Sequence, residues 1–223
     1  MNGAATPTIV LPASNAAAPG YRAYSRALLG MDAPAVTVET HLPGGLPSFT
    51  LVGLPETAVR EARDRVRSAI QNCGLDFPAG RVVVNLAPAD LVKEGARFDL
   101  AIAISILCAT GQVPSERVSA FEFLGELGLF GEIRLVRGAL CAALALRLEN
   151  ISRQLVIPAT NAVEASVHLG RRPLTARHLR EVVDLLVTGR EPEPLPPQAS
   201  HEPIEPVIPL DDVIGQSTAK RAL

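Results

Sequence analysis

Residues 85–107 read NLAPADLVKEGARFDLAIAISIL, and the texture of the chain changes twice within that span. Together with the Arg81-Val82-Val83-Val84 run before it, the first part is a β-branched strand from Arg81 to Leu86. Pro88, Asp90 and Gly95 then interrupt it as a loop. From Phe98 to Thr110 the residues are apolar nearly all round a helix, which predicts a central helix with no solvent face. Ser105 sits on that helix, where a core hydroxyl bonds a backbone carbonyl. A strand feeding a buried helix through a glycine-bearing loop is the signature of an α/β domain.

A second stretch repeats the theme. Residues 123–144, FLGELGLFGEIRLVRGALCAAL, predict a strand over Phe121–Leu127, a turn about Gly128 and Gly131, a short strand from Ile133 to Val136, and a helix over Arg137–Leu148. Upstream, YRAYSRALLG (21–30), AVTVETHL (35–42) and SFTLVGL (48–54) read as three strands of a β-meander, the second alternating Val36, Val38 and Thr40 on one face. Pro55-Glu56-Thr57 opens a helix whose apolar positions Val59, Ala62, Val66, Ala69, Ile70 and Cys73 recur at helical spacing until Gly74. Downstream, RQLVIP (153–158) is a strand and Thr175–Thr188 a last helix. The predicted fold is α/β, with helices packed on a mixed sheet over residues 21–189. Residues 1–20 form a loose Ala/Pro/Asn-rich tail, and residues 190–209, REPEPLPPQASHEPIEPVIP, are too rich in proline and charge to pack and read as an extended linker. Beyond it, residues 210–223 hold an Asp211-Asp212 helix start and a helical run with no cap, as if a further element were beginning.

Composition excludes several functions. The 21 Lys+Arg against 23 Asp+Glu give a net charge of -2, so no global basic field attracts nucleic acid, and any such contact is local. Cys73, Cys108 and Cys141 lack CxxC spacing and read as reduced thiols in a cytoplasmic protein. His41, His168, His178 and His201 share no metal-ligand spacing, so no metal site is expected. The first 20 residues carry neither a basic n-region nor a sustained apolar core, and no membrane contact is expected. No GxxxxGK[ST] occurs, so this chain by itself is expected to hold no nucleotide cofactor.

The stretches GLPSFTLVGLPETAVREARDRVRSAI (45–70), NLAPADLVKEGARFDLAIAI (85–104), GELGLFGEIRLVRGAL (125–140) and DDVIGQSTAKRAL (211–223) stand in the order and spacing of the ComM/YifB family of Mg-chelatase-like AAA+ ATPases, which the chain resembles from about Tyr21 onward. The resemblance implies the fold of ribosomal protein S5 domain 2, shared with the proteolytic domain of Lon, and a linker leading into an AAA+ module. On that reading the chain is the N-terminal part of a longer protein, and Val213, Ile214, Gly215 and Gln216 would form the edge of an adenine pocket that takes ATP and magnesium in the longer protein. Lon-type proteases carry KDGPSAG with a serine nucleophile and a later lysine that takes its proton. Here the corresponding run is Lys93-Glu94-Gly95-Ala96-Arg97-Phe98-Asp99, so the serine's place falls on Arg97, and Arg137–Ala142 contains no lysine. Peptidase chemistry is therefore not expected. The ComM branch further implies a hexameric motor driving DNA branch migration, with a metal-chelatase role as the competing reading.

One local feature could serve such a motor. Arg60, Arg63 and Arg67 fall within about a sixth of the circumference of the first helix. They could neutralise phosphates, meet a neighbouring subunit, or form a solvated face paired with Glu56 and Asp64.

Overall fold

The computed structural model describes residues 21–53, 57–165 and 172–192, the side chains of residues 57–60 excepted. Its first sheet has four strands: β1 (Tyr21–Arg26), β2 (Ala35–His41), β3 (Ser48–Val52) and β4 (Arg81–Ala87), in the order β1-β2-β4-β3. β2 and β4 each bury alternate residues, Val36, Val38 and Thr40 on one, Val82, Val84 and Leu86 on the other. The meander is corrected here. β2 pairs antiparallel with β1 and β4, whereas β3 lies parallel to β4 and never touches β2 in the ladder. The cause is helix α1 (Thr57–Asn72), which carries the chain from β3 back to β4 as a β-α-β crossover and so makes those two strands neighbours. Gly74, at φ +69°, ends that helix.

Helix α2 (Asp99–Ala109) is buried along its length from Asp99 to Cys108 and packs on β1, β2 and α1. The all-round apolar sequence demands this. Ser105 Oγ donates to Ile102 O at 2.9 Å and lies 2.7 Å from Thr40 Oγ1, which satisfies it within the core. The main cluster collects around α2: Phe98, Leu100, Ile102, Ile104 and Leu107 are fully buried among Val38, Val84, Val66 and Ile70.

After a short helix α3 (Ser115–Val118) that the sequence reading did not anticipate, the predicted strand over Phe121–Leu127 divides in two. β5 (Phe121–Phe123) joins a parallel three-stranded sheet with β8 (Gln154–Pro158) and β9 (Leu174–Ala176), while β6 (Glu126–Leu127) forms a hairpin with β7 (Ile133–Arg134). Gly125 is the point of division. A Cβ there would lie 2.6 Å from Ile133 Cγ2, and its N–H and C=O are engaged by Arg97 O at 3.0 Å and Leu100 N at 3.1 Å, leaving nothing for a continuous strand. Helix α4 (Ala139–Leu148) begins two residues later than its apolar pattern suggested, behind Gly138 in the left-handed region. A 3-10 turn (Ala159–Asn161) and a short helix α5 (Ala162–Ala165) follow β8. The last predicted helix also needs correction at its start. Thr175 and Ala176 belong to β9, and helix α6 (Leu179–Thr188) begins behind His178, whose Nδ1 accepts the Arg180 N–H at 3.2 Å, and ends at Gly189.

A second apolar cluster of Leu124, Val136, Ala139, Ala142, Leu146, Leu155 and Ile157 joins α4 to β8. Between the two clusters stands a buried charge network. Arg26 pairs with Glu122 at 2.7 Å and Glu149 at 2.8 Å, and its Nη1 donates to Ala33 O at 2.9 Å, tying β1 to β5 and to the end of α4. These contacts satisfy the guanidinium and hold it fully charged despite burial.

Candidate functional site

The two stretches singled out in the sequence meet at one pocket. The loop before α2 and the loop before α4 close on each other where Arg97 Nη2 donates to Arg137 O. Beside that contact is a cavity of about 570 Å³, walled by Gly95, Ala96 and Arg97 from the first stretch, Leu135, Val136 and Arg137 from the second, and Leu28 from the segment after β1. Glu94 and Glu126 complete the lining.

Each wall is fixed by main-chain geometry. Gly95, at φ +71°, lets the first loop turn into α2, and the backbone of Arg97 is held by its carbonyl accepting Gly125 N at 3.0 Å. The second wall is clamped from behind by the buried Asn161, whose amide accepts the Val136 N–H at 3.1 Å and donates to Val136 O at 2.7 Å, as a paired strand would. Glu164 steadies Asn161 at 2.9 Å and accepts Leu140 N at 3.2 Å in the first turn of α4.

Arg97 is 6% exposed. Its Nη1 donates to Arg26 O at 3.3 Å and its Nη2 to Arg137 O, yet no carboxylate lies within ion-pair reach of it among the described residues. Burial accordingly pushes its pKa down from the usual guanidinium value. Arginine offers donors and no attacking oxygen, so the position that the Lon resemblance gives to serine holds a cation in the wall of a cavity. The preceding Lys93 is fully buried, with Nζ bonded to Pro88 O, and burial lowers its pKa as well.

Two residues along, Asp99 anchors the start of α2. Its carboxylate takes a two-pronged contact from Arg65, at 2.7 and 3.1 Å, and accepts Leu127 N at 3.2 Å. Burial nonetheless raises its pKa to about 6, outweighing the opposing pull of Arg65.

The other sequence candidates lie apart from this pocket. Arg63 and Arg67 are exposed on α1, and the Arg67 guanidinium lies 4.9 Å over the Phe77 ring, which itself packs on Phe49 at 5.7 Å. The Arg60 side chain and Val213, Ile214, Gly215 and Gln216 lie outside the described residues. His168 and His201 do so too. No cluster of His, Cys, Asp or Glu suited to a metal occurs among the described residues. Cys73 and His178 face each other across Gly131, but the thiol is buried with its pKa pushed up by burial, and the ring bonds Phe130 O at 3.0 Å and Arg180 N, so the pair braces a turn. The sequence reading missed Leu28, Glu126 and Arg137 as pocket residues. Arg137 stood in a segment already searched for lysine; Leu28 carried no signal at all.

Residues 38–161 match the family described as subunit ChlI of Mg-chelatase, more than half of the 223 residues, and the chain belongs to that family. Among curated proteins it is 48% identical over 205 residues to Competence protein ComM of Haemophilus influenzae, which takes in 90% of this chain and 40% of that protein. It is 44% identical over 201 residues to the uncharacterized protein YifB of Escherichia coli, covering 90% of this chain and 39% of YifB. An uncharacterized protein of Mycobacterium tuberculosis is 39% identical over 204 residues, 91% of this chain and 40% of its own length. The chain thus spans about two fifths of the length of the curated relatives it matches. No helix among the described residues is long and apolar enough to cross a membrane.

Proposed function

We propose that this chain is the non-catalytic N-terminal domain of a ComM-like AAA+ ATPase, a hexameric cytoplasmic motor that promotes DNA branch migration in transformation or recombination. The observation that carries the reading is the 48% identity to Competence protein ComM over 90% of this chain. In this reading residues 1–20 are a tail, 21–189 a Lon-like domain, 190–209 a linker, and 210–223 lead into the ATPase module. Val213–Gln216 touch the adenine there. The phosphate-binding loop for ATP and magnesium lies beyond Leu223, because a triphosphate needs a glycine-rich cradle and no GxxxxGK[ST] occurs in these 223 residues. Arg97 in the serine's place supports a structural role for the domain, since peptidase chemistry would need a nucleophile and a base.

The family description favours a second reading, an accessory domain of a metal-chelatase-type ATPase. Reading the coding sequence beyond Leu223 and assaying the longer product on three-stranded DNA junctions separates the two. ATP-driven strand exchange by a six-membered ring is the expected result. A ring that hydrolyses ATP without moving junctions would overturn the motor reading in favour of the second.

A further inference from the structure

We propose that the pocket at Arg97 is a binding site for an apolar carboxylate, taken as the C-terminus of a peptide. The inference does not rest on the motor reading. Its starting point is an arginine 94% removed from solvent, by its 6% exposure, with no carboxylate within ion-pair distance among the described residues, Glu94 and Glu164 acting on it only from further off. The buried Lys93 is likewise met by a main-chain carbonyl alone, but it does not line the cavity, and the arginines of the core are paired. Arg26, equally deep, has two carboxylates, and Arg65 has Asp99. A buried guanidinium bonded only to two carbonyls, with carboxylates acting on it only at a distance, has its charge incompletely compensated, which costs free energy until an anion arrives. Its Nε has no acceptor among the described residues, so a donor remains for a ligand that enters the cavity it lines.

The surroundings select the anion. Glu94 and Glu126 stand in the same lining, and only Glu126 has a cationic partner there, Arg134 at 3.5 Å. A dianionic phosphate would meet those carboxylates, whereas a single carboxylate can pair with Arg97 and Arg137 while keeping clear of them. The rest of the wall is apolar: Leu28, Val136 and the exposed Leu135. Next to Leu28 in the chain, the tight turn closed by Leu29 and Asp32 exposes Leu29 and Met31 at 64% and 81%. A cavity of about 570 Å³ lies within the range that takes a ligand larger than a single small acid. A chain end supplies all three requirements: a terminal carboxylate for Arg97, an apolar last side chain for Leu28 and Val136, and preceding residues for the exposed apolar turn.

The test titrates the full 223-residue chain with acetyl-Ala-Ala-Leu as the free acid, its amide, 4-methylpentanoate and inorganic phosphate, following the Arg97 Nε–H resonance and the leucine and valine methyls. The free-acid peptide should bind at least tenfold more tightly than each of the other three. Arg97→Met, which removes the buried charge, should fold and lose that preference. Leu135→Asp, a change at an exposed residue of the lining, should weaken the free acid by repulsion while leaving the Tm unchanged. Equal binding of acid and amide would overturn the proposal, as would phosphate binding as tightly as the peptide. Binding of 4-methylpentanoate as tightly as the peptide would overturn the chain-end assignment. Failure of all four to shift Arg97 would overturn it entirely.

Discussion

Arg26 Nε donates to Glu122 Oε2 at 2.7 Å with both side chains wholly removed from solvent, so β1 and β5 of different sheets are joined by a charge pair. Arg26→Met leaves Glu122 with only Arg153, at 3.5 Å, and should cost about 3 kcal/mol because an isolated buried carboxylate is left behind. Adding Glu122→Leu should restore most of that loss. Urea midpoints of the two variants check it; a double variant no more stable than the single would contradict the account.

Asp99 gives the fold a pH dependence of defined sign. Its folded pKa, raised by burial from 3.8 to about 6, exceeds the unfolded value, so its contribution is complete below 3.8 and is lost as the pH rises through about 6. Asp99→Asn keeps one acceptor oxygen, for Arg65 Nε and Leu127 N, gives up the acceptor for Arg65 Nη2, and has no proton to release. The variant should therefore lose less stability than the parent on going from pH ~4 to pH ~6. Denaturation at several pH values measures this, and a steeper slope in the variant would refute the sign.

Much of the fold was legible because burial in a strand follows a period of two and in a helix about 3.6. β2, β4 and α1 show it, and α2 was legible for the opposite reason, being apolar and buried all round. Strand partners were not legible, since alternation names the buried face and says nothing about which edge lies beside it. Nor could the sequence show that Gly125 gives its backbone to Arg97 and Leu100, a contact across the fold that divides an otherwise even run of strand residues. Glu122 and Arg26 carried no signal in the sequence, because their partners, each other with Glu149 and Arg153, are brought together only by the fold. At the pocket, both loops stood out as unusual, but their meeting through Arg97 and Arg137 is tertiary, as is the arrival of Leu28 from the segment after β1.

Two glycines should respond very differently to alanine. Gly53, at φ +98°, faces the Leu86 backbone, and an added Cβ would run into Leu86 O, which cannot move without breaking β4. Gly53→Ala should cost about 3 kcal/mol from strain plus overlap. Gly30, at φ +61° with open space around it, should lose only about 1 kcal/mol. Thermal melts of both variants are the measurement, and equal losses would show that overlap at Leu86 is relieved.

For the longer protein, the α1 arginines offer a separate test. If Arg60, Arg63 and Arg67 meet phosphates, replacing all three by alanine should weaken DNA binding and reduce its salt slope by up to about three. If they face a neighbouring subunit, the same change should lower ring formation and leave the DNA contacts of the assembled ring intact. DNA affinity at several salt concentrations, measured beside the oligomer distribution, distinguishes the outcomes. An unchanged result in both would assign the cluster to solvent.

Gly125 grips the chain at the pocket's cation and one turn beyond it through main-chain atoms alone: its N–H reaches Arg97 O and its C=O receives Leu100 N. The backbone at position 97 is therefore a socket whose shape does not depend on what is plugged into it. A nucleophile, a cation or a plain hydrocarbon can occupy that socket while the frame around it stays as it is. Such an arrangement lets the side chain at one position be exchanged without rebuilding the frame, while a new chemistry still needs its partner groups to arrive separately.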